Sequence, residues 1–448
     1  MGAVRQPDYG TGAVTEPITE DLEKEDRSNA GRSLLRSMEI DTRLLGMIAA
    51  LIVIWVGFHI LSGGTFLTPR NLWNLSVQTA AVAIMATGMV LVIVSRNIDL
   101  SVGSMLAAVG MAMALIQAEI LPDILGFDHW ATWIITIAIG LAIGAAIGGI
   151  QGVIVAYVGV PSFIVTLGGL LVWRGVAWWM ASGRTIAPMD SIYQLFGGGS
   201  RGTIGGTWSW AVAFAGCLGI VALLINNRRQ RRKYGFGVRP LWADITLGAI
   251  GCVVVLGAIA VINAYPMPER LAMQYAEQNN IPWPEGGLKI SLGLANPVLL
   301  IIGVALVMNF VATRRRFGRY VYAIGGNPEA AELAGIKTRW TIVKTFMVMG
   351  ILVAIAAVVT TARLNAATSG LGQLTELYVI AAAVIGGTSL AGGVGTVFGA
   401  ILGALVMQSL QSGMVLLGIE APMQDIVVGI VLVVAVAIDS WYRRRASS

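Results

Sequence analysis

The sequence predicts an all-α, polytopic membrane protein of about 12 transmembrane helices, and three observations carry that expectation. Of the 448 residues, 56% are hydrophobic. Only 12% are charged, about half the share of a soluble domain, so polar groups cannot cover a globular surface of this size. The apolar residues also gather in charge-poor blocks of about 20 residues, the length at which a helix crosses a bilayer core.

Residues 1–43 come first, with nine acids and six bases among Gly, Pro and Ser. They read as a disordered cytoplasmic tail and not as a cleavable signal peptide, which leaves the first span as a signal anchor. Spans are expected near 44–61, 76–95, 101–119, 131–157, 162–181, 208–225, 241–263, 295–312, 341–361, 377–391, 394–410 and 422–438, with a second short tail at 441–448. Between Glu376 and Glu420 there are 43 residues without a charge. As one helix they would measure about 65 Å, so the stretch must hold two crossings, with the break at 386–393.

Lys and Arg set the orientation. With both termini inside, 22 of the 30 basic residues fall on inner segments and six on outer ones, as the positive-inside rule requires. The net charge of +6 is therefore an orientation device, and no nucleic-acid partner is expected. Cys217, Cys252, His59 and His129 are too few and too scattered for a disulfide framework or a zinc site. Neither a metal nor a cofactor is expected.

Two glycine series recur at every fourth residue: Gly140, Gly144, Gly148 and Gly152, and then Gly395, Gly399 and Gly403. This spacing lets helices approach at backbone distance where lipid offers no hydrophobic drive; a sliding contact is the functional alternative. The inner loop 312–340 contains Asn327-Pro328-Glu329-Ala330-Ala331-Glu332-Leu333-Ala334-Gly335, which reads as a complete short helix. Asn327 is a good N-cap, Pro328 fits the first helical position, Glu329 suits the positive helix end, and Gly335 stops it. Such a helix either presents a rigid surface to a cytoplasmic partner or is a well-capped connector.

The chain carries no motor of its own. It has no phosphate-binding loop and no Gly-Lys dipeptide, so any ATP hydrolysis belongs to another chain. Asp99, Asp244, Asp425 and Asp439 lie at span ends, not deep inside where ion-coupling carboxylates belong. Arg174, among Trp173, Trp178 and Trp179, is the charge set furthest inside a span. It reads equally as a snorkelling or structurally paired group and as a substrate contact.

Four segments together resemble the permease subunit of bacterial ABC importers for monosaccharides, the ribose/xylose/galactose group. They are Asn97-Ile98-Asp99-Leu100-Ser101-Val102-Gly103-Ser104, Pro161-Ser162-Phe163-Ile164-Val165-Thr166-Leu167-Gly168 with Arg174-Gly175, the loop from Phe317 to Gly335, and Val384-Ile385-Gly386-Gly387-Thr388-Ser389-Leu390-Ala391-Gly392-Gly393. Ribose-type members resemble ten-span proteins, whereas here a block at about 226–312 adds two spans, opened by Arg231-Arg232-Lys233-Tyr234-Gly235 and closed by Arg314-Arg315-Arg316-Phe317-Gly318. An inserted hairpin of this kind is similar to the xylose branch.

The resemblance implies a transporter subunit in the bacterial inner membrane that is not an enzyme. Its partners would be a second permease copy in a homodimer, a cytoplasmic sugar-import ATPase docking on residues 327–335, a periplasmic sugar-binding protein, membrane lipid and the monosaccharide itself. A path along the two-fold axis needs hydrogen-bonding groups. The candidates are Asn97, Ser101, Thr166, Arg174, Thr388 and Ser389, with Gly392 and Gly393 as a flexing break or a plain turn. A secondary, ion-coupled sugar transporter is the alternative reading; it would need coupling carboxylates in the spans.

Overall fold

The computed structural model describes residues 42–278, 280–284 and 287–447; the tail expected at 1–43 lies outside them up to residue 41. In chain order the helices are α1 (Thr42–Leu61), α2 (Pro69–Val94), α3 (Val102–Leu115), α4 (Leu121–Leu125), α5 (Thr132–Val153), α6 (Ser162–Ala181), α7 (Gly205–Lys233), α8 (Leu241–Asn263), α9 (Glu269–Gln278), α10 (Asn296–Arg314), α11 (Arg316–Gly326), α12 (Pro328–Leu333), α13 (Thr338–Leu364), α14 (Thr375–Ile385), α15 (Val397–Leu416) and α16 (Ala421–Ser447). A π-helical turn, Ile116–Ile120, joins α3 to α4. Among the described residues ten helices are long and apolar enough to cross a membrane, α3 to α4 counting as one, and α14 and the apolar part of α16 are shorter. The protein is thus an all-α polytopic membrane protein.

The chain falls into two compact units, residues 216–253 and residues 42–215 with 254–447. In the small unit the halves of α7 and α8 pair through an ion pair, Arg228 Nη1 to Asp244 Oδ2 at 2.7 Å, and through apolar contacts in which Gly248 and Gly251 face Leu224 and Ile220. Two charges at the ends of apolar helices thus neutralise one another. Its apolar side chains face outward, with Leu218 71% and Leu223 69% exposed.

The large unit is built around α2 and α13. Thr68 caps α2 by accepting from the Asn71 amide, and Pro69 occupies its first turn, where a missing N–H costs nothing. Ile84, Met85, Leu91, Phe346, Met349 and Val353 are fully enclosed between these helices and their neighbours. The glycine series account for the closest packing. A Cβ at Gly144, Gly148 or Gly152 would run into Gly350, Phe346 or Val343 of α13, and one at Gly399 or Gly403 into the Gly386 or Ala382 carbonyl. Gly140 instead faces Met113 of α3. Backbone thus touches backbone along two helix seams.

Two crossings differ from the expected pattern. The span expected at 377–391 is α14, 11 residues long, or about 16 Å, half the core thickness. A non-helical run, 386–396, follows it. Likewise 95–101 is not helical, and α3 begins within the bundle. A Cβ at Gly103 would already meet Gly372 and Glu376, while one at Gly110 would lie 3.0 Å from Thr361, one turn from the end of α13. In the run after α14, Gly387, Gly392 and Gly393 stand at φ +85°, +89° and +75°, which glycine adopts without a Cβ penalty. Further, α16 is 27 residues long and continues as helix through the expected tail 441–447.

Candidate functional site

The 327–335 segment folds as its residues dictate. Asn327 is extended and its side-chain oxygen accepts from the Ala330 amide at 3.0 Å. At the other end Gly335 has φ +80°. Its N–H reaches the Glu332 carbonyl at 2.9 Å and the Ile336 N–H reaches the Ala331 carbonyl at 3.1 Å, the double bond of a Schellman stop. Ala331 is buried against the bundle while Glu329, Ala330, Glu332 and Ala334 are exposed. Leu333, at the tip, is 91% exposed.

Beside this helix lies a backbone knot. Arg96, at φ +63°, donates from Nε to the Gly325 carbonyl at 2.8 Å and from Nη2 to the Gly326 carbonyl at 2.9 Å. The Gly393 N–H donates to the Val94 carbonyl at 3.0 Å. A Cβ on Gly392 would stand 2.9 Å from the Gly325 oxygen, and one on Gly393 3.2 Å from Gly326. The end of α2, the end of α11 and the glycine break therefore meet at one point. Gly392 and Gly393 are joints of this knot, so alanine at either would disturb the loop as well as the break.

Most of the polar residues expected along a path bond to the surrounding chain, the exception being the buried Thr388 Oγ1, which has no hydrogen-bond partner among the described residues. The Ser101 Oγ and N–H both donate to Asp99 Oδ1, at 2.6 and 2.9 Å, and Gln151 Nε2 donates to the Ser101 Oγ at 2.9 Å. Thr166 Oγ1 donates to the Ser162 carbonyl at 2.9 Å and faces that of Ile98 at 3.2 Å, and Asn97 Nδ2 donates to the Ser95 carbonyl at 2.9 Å. These bonds pin the non-helical 95–101 to α5 and α6, supplying the partners an irregular backbone lacks within a membrane. Thr388 and Ser389 are fully buried. Arg174 Nη1 donates to the carbonyls of Ser369 and Leu371, at 2.8 and 2.7 Å, closing the 365–374 connection onto α6. The structure thus gives Arg174 a structural partner.

At the end of the large unit away from the knot, a cavity of about 420 Å³ opens between α2, α13, α14 and α15. Its wall carries Asn71, Asn74 and Gln78 from α2 and Gln408, Gln411 and Ser412 from α15. Tyr378 and Gln373 add an aromatic ring and another amide, and among the described residues no carboxylate lines it. None of the polar residues expected along the path reaches this wall. The signal was present: each set follows helical spacing, at i, i+3 and i+7 or i, i+3 and i+4. It fell at span boundaries, where amides pass for ordinary end residues.

The family model described as branched-chain amino acid transport system / permease component matches residues 71–436. The xylose transport system permease protein XylH of Escherichia coli K12 is 37% identical over 94% of this chain and 96% of its own length. XylH of Haemophilus influenzae is also 37% identical, over 92% and 100%. The ribose import permease protein RbsC of Escherichia coli K12 is 32% identical over 84% and 87%. No solved structure matches. With the family model spanning most of the bundle and these relatives covering nearly the whole chain, the protein belongs to the ABC sugar permease family.

Proposed function

We propose that the protein is the membrane-spanning subunit of an ATP-driven importer of xylose or a closely related monosaccharide. Two copies form the conduit, with both termini in the cytoplasm. A cytoplasmic ATPase docks on residues 327–335 and a periplasmic binding protein delivers the sugar to the opposite face. The observation that carries the sugar is identity: 37% to the xylose permeases against 32% to the ribose permease and 27% to the D-allose permease AlsC of Escherichia coli K12. The exposed Leu333 on a helix with both ends capped supports the docking face, because a large apolar side chain at a helix tip is stable in water only at a cost.

The test is uptake of labelled xylose by reconstituted vesicles holding the permease with its ATPase and ATP inside and the binding protein outside, with ribose and allose as competitors. Uptake that requires ATP and the binding protein, and that unlabelled xylose suppresses most strongly, is the expected result. Uptake by the permease alone, driven by a proton or sodium gradient, would replace this reading with a secondary transporter.

A further inference from the structure

We infer that the amide-lined cavity between α2, α13, α14 and α15 is a binding site for the monosaccharide on its way through the membrane. The inference rests on the importer reading and adds to it a place and a set of residues. Its volume, about 420 Å³, lies in the range of small-molecule sites.

The chemistry of the wall selects the ligand class. A lipid-facing groove would not carry this many amides, since each unpaired polar group in hydrocarbon is costly. Here Asn74, Gln78 and Gln373 line the cavity, and their side chains have no hydrogen-bond partner among the described residues. Gln408 Nε2 donates to Gln411 Oε1 at 2.9 Å, which leaves the Gln411 amide hydrogens free for a ligand. Each amide offers both a donor and an acceptor. A sugar hydroxyl also donates and accepts, so rows of amides match a neutral polyol in several orientations. Tyr378 supplies the apolar face that a pyranose ring stacks on.

Charge argues the same way. An anionic cargo would need more than Arg363, which is exposed at the margin, and a cationic one would need carboxylates, which the wall lacks. Amide hydrogen bonds exposed to water are individually weak, and a transporter must release what it binds. Six amides from three elements supply orientation without tight retention.

The test uses the full-length permease reconstituted with its ATPase and binding protein, and reads xylose moved per ATP hydrolysed. Gln78→Met keeps the shape of the side chain and removes its hydrogen bonds; Asn74→Leu does the same one turn earlier. The double variant should lower xylose moved per ATP about tenfold, the loss of one or two hydrogen bonds, and Gln78→Asn should restore much of the single-variant loss. In a Cys217→Ser, Cys252→Ser background, alkylation of Gln78→Cys should slow when the vesicles are loaded with xylose and not with an equal concentration of sodium chloride. A double variant at normal membrane abundance with an unchanged ratio, or alkylation indifferent to xylose, would overturn the site while wild-type uptake leaves the importer reading standing. Absence of ATP-driven uptake by the wild-type complex would remove that reading and the site with it.

Discussion

Arg96 is the most informative single residue for the mechanical link between the 327–335 loop, the proposed ATPase dock, and the helices of the bundle. Its guanidinium holds the last two carbonyls of α11 through bonds of 2.8 and 2.9 Å, and its own backbone sits at φ +63°. A hydrogen bond from a charged donor contributes about 1.5–3 kcal/mol when buried. One of the two is exposed, so together they hold the loop by about 2 kcal/mol after screening by water. The left-handed backbone costs about 1 kcal/mol in any residue with a Cβ. Arg96→Ala loses the bonds and keeps the strain, whereas Arg96→Gly loses the bonds and sheds the strain. Amide hydrogen exchange over 325–336, followed by mass spectrometry, should therefore accelerate about 30-fold in Arg96→Ala. Arg96→Gly should accelerate it only about fivefold. ATP hydrolysis stimulated by loaded binding protein should fall in the same order. Exchange within twofold of wild type in both variants would refute the claim that Arg96 fixes the loop.

Three other outcomes follow from the geometry. Glu329→Lys, which reverses the charge at the start of α12, and Gly335→Val, which forces a branched side chain to φ +80°, should both leave membrane insertion intact. Each should lower uptake and stimulated ATP hydrolysis together, measured in the same vesicles. Gly148→Ala should destabilise the bundle by about 1–3 kcal/mol in a denaturant titration in detergent, because its Cβ would run into the Phe346 carbonyl. Asp190, in the connection between α6 and α7, has its carboxyl raised by burial, with neighbouring Asp128 adding to the effect. The folded state then holds this proton more tightly than the unfolded state, so stability is highest on the acid side and declines as pH rises from the ordinary carboxylate range through the raised value. Asp190→Asn retains the oxygen that accepts from the Ile192 and Tyr193 amides, and should flatten the decline of the denaturant midpoint as pH rises above the ordinary carboxylate range.

Much of the fold was legible because bilayer thickness and charge act on short stretches of sequence. Most of the spans, the capped helix at 327–335 and the glycine seams are local patterns, and the structure has helices and close contacts there. The half-length α14 and the depth at which α3 begins were not legible, since counting charge-free residues measures length and not direction. Only the approach of Gly103 to Gly372 shows that α3 begins inside the bundle. Polarity alone does not separate residues that brace the fold from residues that line a cavity. Ser101 and Thr166 are polar because the irregular 95–101 needs partners, whereas Asn74 and Gln78 are polar with none. That distinction is one of three-dimensional company, and a one-dimensional pattern of residue types does not contain it.

The seam between α5 and α13 also has a genetic consequence. Glycine is the smallest residue, so every missense change at its codon adds atoms. At Gly144, Gly148 and Gly152 those atoms land on the backbone of α13, whereas at Gly168 and Gly175 on α6 nothing lies within 4 Å of an added Cβ. The same nucleotide substitution is thus unfavourable on one helix and sterically silent on the next. A saturation library should show the α5 positions as a ladder of depleted codons, one rung every four residues, beside positions 168 and 175 of α6 that drift freely.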